Sequence, residues 1–488
     1  MNKNKIYQYA GTVFFLLSLA ACKPIDIQQR AESRTVPEKY TLAENDTINT
    51  GKLKWNEYFS DPHLQTLINQ ALQNNQELNI ILQEIEISKN EIKAKKGEYL
   101  PSVGLKAGAG VDKVSRYTNI GAMEANTEME PGKEMPDPLF DFGVGVQAKW
   151  ETDIWGKLHN AKKAQVQRYL ASVEGKNFMI TNLISEIADS YYELLALDNE
   201  LVILKQNIKI QNDALDIIKE LKKNARSNEL AVKRFQAQVL KTQGMQYDIQ
   251  QKIVETENKI NYLVGRFPQP VERSQDFESV VPQTVYAGIP SELLENRPDI
   301  KQAEYELAAS KLDIKSAKAR FYPSLDIGAG LGLQAFNPTY LIKPESFLFS
   351  LAGELTAPLI NRAAIKAAYY NANAKQVQAV YHYEQTVLSA YIEVANQLSK
   401  IKNLENSLDI KTKEVDALTK SIDISNDLFK YARADYMEVL LTQRDALESK
   451  FEFVEKKVNQ LKASVAVYRA LGGGWDQNIP ASSDITSH

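Results

Sequence analysis

Histidine, methionine and carboxylate side chains are where metal or catalytic chemistry would begin, and this chain disperses them. His63, His159, His382 and His488 stand singly, none at metal-ligand spacing. Met123, Met129 and Met135 recur in one segment and could offer thioethers to copper(I). Glu124, Glu128, Glu130, Glu134 and Asp137 share that segment, and a ring of such loops would favour cations. A long loop carries such residues incidentally more often than as a site. No nucleophile–base constellation stands out, and there is no GxxxxGK[ST] phosphate loop. We therefore expect no catalytic residue, no metal and no cofactor, and any energy source must belong to another chain.

One residue does stand where covalent chemistry is expected. Cys22, the sole cysteine, excludes an intrachain disulfide. Lys3 and Lys5 precede a short apolar core from Val13 to Leu19, followed by small residues, the layout of a signal peptide over 1–21. Leu19-Ala20-Ala21-Cys22 matches the bacterial lipobox. That resemblance implies a thioether-linked diacylglycerol on Cys22 and an acylated amino terminus, a stable anchor to lipid.

The elements around these residues follow from composition and period. The chain has 488 residues, 44% hydrophobic and 25% charged, enough for a large core and too balanced for a disordered tail. Its net charge of -4 argues against nucleic acid as a partner. No run of 18 apolar residues follows the N-terminus, so a membrane could be crossed only by a closed β-barrel. Proline is absent from 139 to 267, and neither proline nor glycine occurs from Leu359 to Leu471. Such stretches permit very long helices. Ile401, Leu404, Leu408, Lys411, Val415, Leu418, Ile422, Ser425 and Phe429 alternate by three and four, as coiled-coil seams do. Leu194 to Ile218 and Leu447 to Tyr468 show the same spacing. As one helix, 157–222 would run ~100 Å, too long for a compact bundle.

Four segments switch to period two, at about 102–112, 139–151, 324–335 and 347–357. Val103, Leu105, Ala107, Ala109 and Val111, for example, alternate with small or polar residues. This is the dyad pattern of a transmembrane strand, although a half-buried sheet in a water-soluble domain gives it too. Four strands cannot close a barrel, so spanning a membrane requires several copies of the chain. Ser88-Lys89 recurs as Ser310-Lys311, Pro101-Ser102 as Pro323-Ser324, Ala225-Arg226 as Ala432-Arg433, and Gly265 as Gly472. The chain reads as a tandem duplication of helix, strand, strand, long helix, turn, long helix. The expected organisation is a lipid-anchored segment at 22–61, a first repeat at 62–265, a linker at 266–290, a second repeat at 291–472 and a tail at 473–488.

Five motifs, in order, carry a family resemblance. They are Trp55…Tyr58-Phe59-Ser60-Asp61-Pro62, Trp150-Glu151-Thr152-Asp153-Ile154-Trp155-Gly156-Lys157, Arg297-Pro298-Asp299-Ile300, Tyr436-Met437-Glu438-Val439-Leu440 and Tyr468-Arg469-Ala470-Leu471-Gly472-Gly473-Gly474-Trp475. Over nearly the whole mature chain they resemble the TolC-like outer membrane efflux proteins, in their lipoprotein (NodT/OprM-like) branch. Caps and turns account for most of these residue types, such as Pro298 in a helix first turn.

The resemblance implies a mainly α fold with a transmembrane β part. A homotrimer would form a 12-stranded barrel in outer-membrane lipid, continued by a long α-helical barrel in the periplasm. It implies a passive exit duct for small solutes, linked through a periplasmic adaptor to an inner-membrane pump, in this branch of the RND type. Ala225, Arg226, Ser227 and Asn228, with Ala432, Arg433, Ala434 and Asp435, would form the adaptor-docking tip. The family often has glycine where Ala225 and Ala432 stand, which would stiffen these turns. Met437 and Leu441 would form an apolar constriction, with Arg444 as a charged ring or latch. The family often has aspartate where Leu441 stands, so an acidic gate ring is not expected. Leu441 packing between helices and Arg444 pairing at the surface is the plainer alternative. A duct for secreted proteins and a non-conducting envelope spacer are the rival functions; a spacer would need no strands.

Overall fold

The computed structural model describes residues 27, 29–40, 48–358, 360, 362–431 and 433–475, without the Glu130 side chain. Cys22, Ala432 and the tail beyond 475 lie outside the described residues. The first half runs α1 (Pro62–Asn74), α2 (Gln76–Tyr99), β1 (Ser102–Asp112), β2 (Leu139–Thr152), α3 (Lys157–Lys223) and α4 (Glu229–Val264). The second runs α5 (Pro298–Ala319), β3 (Ser324–Ala335), β4 (Phe347–Thr356), α6 (Ala363–Lys430) and α7 (Tyr436–Ala470). The chain divides into two compact units. Met1–Ala31, Glu86–Tyr169 and Tyr305–Tyr381 make the first; Glu32–Ile85, Leu170–Glu304 and His382–His488 make the second.

The first unit holds a four-stranded antiparallel sheet in the order β1-β2-β3-β4. Its register puts every apolar series on one face. Leu105 faces Val146, Val146 faces Leu331, and Leu331 faces Phe349. The other face pairs Gly108 with Gly143, Gly145 with Gly332, and Gly330 with Ser350. A one-residue slip would exchange the faces, so the alternation itself fixes the pairing. Between β1 and β2 the chain forms a short helix, Asn119–Glu124, and a small hairpin of Glu128–Glu130 with Lys133–Glu134. Asp153 starts α3 by accepting the N–H groups of Leu158 (2.9 Å) and His159 (2.7 Å). Gly156, at φ +70, makes the turn between them. Trp155 stacks on Tyr322 at 4.7 Å and donates to the Pro323 carbonyl, which ties the two strand–helix junctions together.

In the second unit α1 packs on the long helices. Asp61 caps α1 at the His63 N–H (2.8 Å) and accepts the Tyr191 hydroxyl at 2.6 Å. Leu64, Ile68, Ile187, Tyr191, Leu194, Val458 and Tyr468 belong to one buried cluster. Tyr58 lies flat on Tyr468 with ring centroids 4.0 Å apart. The duplication is visible in the helix ends. Gly265 (φ +76) closes α4 against the Asn74 carbonyl, and Gly472 (φ +86) follows α7 against the Asn296 carbonyl. A Cβ on Gly472 would lie 2.6 Å from that oxygen. Both positions need the left-handed conformation and the missing side chain at once.

Candidate functional site

Two regions carry the residues that could serve transport. The first is the glycine face of the sheet. Gly145 and Gly332 are register partners, and a Cβ on Gly332 would stand 2.6 Å from the Val144 oxygen. A Cβ on Gly145 would stand 2.7 Å from the Leu331 oxygen. At these two positions the strands curl together and leave room only for hydrogen. The hollow so formed, about 390 Å³, is lined by these glycines together with Lys106, Asp141, Gln147, Gln334 and Ser350. Gln334 donates to both Asp141 oxygens, at 2.8 and 3.0 Å. The opposite, convex face is apolar, with Leu105 79% and Leu351 77% exposed. Aromatic rings mark both of its ends: Phe140 stacked with Phe142 at one, and Trp150, donating to the Tyr99 carbonyl, at the other.

The second region is the helix ends of the second unit. After α3 the chain turns through Ala225 at φ +59, a left-handed position held by an L-residue. Such a conformation costs about 1–2 kcal/mol, so the turn between α3 and α4 stores strain that glycine would remove. The Arg226 N–H reaches the Leu221 carbonyl at 2.8 Å, and Asn228 caps α4 at the Ala231 N–H. Arg226 and Asn228 sit at the surface with Ala225, and Ser227 is half-buried between them. The second turn matches: the Arg433 N–H reaches the Leu428 carbonyl at 2.8 Å, and Asp435 caps α7. Ala434 is half-buried there.

Met437, Leu441 and Arg444 fall at i, i+4 and i+7, within one narrow stripe of α7, and Glu448 continues it. The buried residues Val439, Gln443, Ala446 and Leu447 lie on the other side of the helix. The stripe therefore faces away from the core of its own chain. Leu441 is 41% exposed, and Arg444 bonds only its neighbour Asp445 (2.9 Å) among the described residues. Met437 is partly covered: the Arg234 guanidinium of α4 donates to its sulfur at 2.6 Å. Arg234 carries no signal in the sequence, because its partner lies 203 residues away.

The motif Arg297-Pro298-Asp299 holds more than a helix start. Arg297 is 6% exposed and donates to Asp299 (2.7 Å), Glu393 (2.8 Å) and the Ala470 carbonyl (2.8 Å). Burial alone would lower its pKa; the two carboxylates outweigh it and raise the pKa above the usual arginine value. Arg469 shares Glu393 at 2.9 Å. The entry to the second half is thereby clamped to the end of α7. In the acidic loop Met123 is 66% exposed, and Asp137 faces Lys113 and Arg116. Among the described residues no group of three or more His, Cys, Asp or Glu is placed to hold a metal ion. No described helix is long and apolar enough to cross a membrane.

With this geometry in view, the comparisons are specific. Over 94% of this chain and 97% of the relative, it is 24% identical to the cation efflux system protein CusC of Escherichia coli O6:H1. It is 26% identical to the toluene efflux pump outer membrane protein TtgI of Pseudomonas putida, over 95% and 97%. The solved open state of the MtrE outer membrane channel of Neisseria gonorrhoeae shares its fold, with a TM-score of 0.79 at 22% identity over 93% of this chain and 98% of that one. Residues 67–266 and 289–473 match the family of outer membrane efflux proteins. The protein is thus an outer-membrane channel component of an efflux system and not an enzyme. With both halves of its duplicated sequence accounted for, the chain belongs to the outer membrane efflux protein family.

Proposed function

We propose that three copies of this chain close one barrel and serve as a passive exit duct for small solutes. One observation carries the reading: β1 pairs only with β2 in its sheet and β4 only with β3, and every residue of both outer strands is exposed. Two open edges of that length would leave rows of unpaired backbone groups, each costing several kcal/mol in lipid. Placing β4 of one copy on β1 of the next removes both edges, and three copies give a ring of twelve strands. From Phe140 to Trp150 the tilted strand covers ~25 Å, the height of a lipid-facing band between aromatic girdles. The glycine face then lines the lumen.

By the family's example, the turns at Ala225–Asn228 and Ala432–Asp435 are the part of the chain that would meet a periplasmic adaptor. The adaptor joins an inner-membrane pump of the RND type. Leu441 and Arg444 form the narrowing, with Met437 braced by Arg234. The cargo belongs to the class of small toxic solutes. The names of two relatives point to cargoes as unlike as cations and toluene, which argues that the pump, not the duct, selects. The anchor is a lipid on Cys22, which a Cys22→Ser variant should lose as palmitate label. Purified protein in a planar bilayer tests the duct: Leu441→Ala should conduct more than the wild type. Equal conductance would remove Leu441 from the gate, and a monomeric particle in mild detergent would end the trimeric reading.

A further inference from the structure

A cavity of about 520 Å³ opens between the ends of α3 and α6, and the duct reading makes no use of it. Ile217 of α3, Phe429 of α6 and Phe235 of α4 give it apolar walls. That volume and lining suit one drug-sized molecule; a docked helix would need a longer trough. Two polar features distinguish it. Gln443 of α7 lines the cavity at 1% exposure, and neither atom of its amide has a hydrogen-bond partner among the described residues. Buried amides are nearly always satisfied, so an orphan at a cavity wall marks a place for a ligand's polar group. Its repeat counterpart Gln236 is exposed and accepts from Lys233, so this burial is not a legacy of the duplication. Asp213 and Asp427 line the cavity from α3 and α6, and neither carboxylate forms an ion pair among the described residues. Lys430 also lines the cavity, which leaves one net negative charge there.

We propose that this cavity binds a cationic aromatic amphiphile. Its rings lie among Ile217, Phe235 and Phe429, its ammonium group is drawn to Asp213 and Asp427, and a polar link satisfies Gln443. The walls come from both halves of the duplicated chain, so the bound cation ties the ends of the two helical hairpins together.

The test uses the full-length protein in lipid nanodiscs, titrated with 1-pyrenylmethylammonium and, as its neutral counterpart, 1-pyrenylmethanol, followed by fluorescence anisotropy. One saturable site per protomer is expected, with the ammonium bound at least about tenfold tighter than the alcohol, or ~1.4 kcal/mol. Asp213→Asn with Asp427→Asn should erase that preference while the alcohol still binds. Ile217→Lys, a change at a half-exposed position that puts an ammonium into the cavity, should abolish both. Circular dichroism checks that the variants keep their helices. Equal affinity for the two probes, or uptake that is unsaturable and identical in all variants, would overturn the proposal. The assay needs no conductance, so its outcome is independent of the duct reading.

Discussion

Replacing Arg297 by methionine should be among the most damaging single changes outside the sheet. The guanidinium is almost wholly buried and makes three charge-assisted contacts at 2.7–2.8 Å, to Asp299, Glu393 and the Ala470 carbonyl. Methionine fills much of the volume, so little of the loss comes from a cavity. What remains is a pair of carboxylates turned inward without their cation. Glu393 keeps Arg469, but among the described residues Asp299 keeps only the Ile300 N–H at 3.0 Å. Removing one member of a buried ion pair costs about 3–5 kcal/mol. For a unit of this size that is a fall in Tm on the order of 5–10 °C. Arg297→Lys retains the charge but cannot reach three acceptors, so about half that loss is expected. Arg297→Met combined with Asp299→Asn should recover part of the stability, because it removes the stranded charge. Thermal unfolding of purified protein, followed by circular dichroism, reads all three variants. A loss below about 1 kcal/mol for Arg297→Met, or identical losses for methionine and lysine, would refute the charge network as the clamp.

Two further outcomes follow from geometry already described. Burial raises the Asp189 carboxyl to about 6, against the opposing pull of Lys462, Arg469, Lys259 and Lys400. The fold therefore holds a proton that the unfolded chain releases nearer pH 4; the penalty is absent below that value, grows between pH 4 and 6, and stays constant above. Asp189→Asn should stabilise the protein by up to about 3 kcal/mol at pH 7.5 and hardly at all at pH 4, and a stability gain that does not depend on pH would contradict this. In the sheet, Gly332→Ala should block assembly, because its Cβ meets backbone at 2.6 Å, whereas Gly328→Ala, on the same face with nothing within 4 Å, should assemble normally. Outer-membrane fractionation and oligomer yield separate the two, and equal yields would mean that the sheet does not need its tight curl.

Much of this was legible in the residues. The absence of proline and glycine from Leu359 to Leu471 leaves a helix little to stop it but a turn, and the seam spacing gives the face it buries. Period-two alternation gives strands and their faces. Partners were not legible. Arg297 was readable as a residue beside a helix start, but Glu393 and Ala470 lie far along the chain, and no local pattern links them. By spacing alone, Lys411 and Gln211 fall on helix seams with nothing to tell them apart. Lys411 proves to be satisfied by Glu414 and Glu452, whereas Gln211 is fully buried with both amide atoms unpaired among the described residues. Whether a buried polar side chain finds a partner depends on the neighbouring helix, and periodicity carries no information about that.

The duplication bears on the proposed narrowing at Leu441. Ala225-Arg226 recurs as Ala432-Arg433, and counting on from there puts Arg234 where Leu441 stands. The two halves present the same helical face with different chemistry, a guanidinium on α4 and an isobutyl group on α7. Arg234 lies beside the stripe, since it reaches Met437 at 2.6 Å. A threefold ring built from both hairpins would then alternate three apolar and three cationic positions at one level, not form a wholly apolar collar. Such a ring favours anions over cations while it is narrow. Arg234→Ala should shift the reversal potential in a potassium chloride gradient toward cation preference, and it should loosen Met437 at the same time. Arg234→Lys keeps the charge and should keep the selectivity. If Arg234→Ala leaves the reversal potential where it was, the guanidinium faces away from the conducting path, and the narrowing is the work of α7 alone.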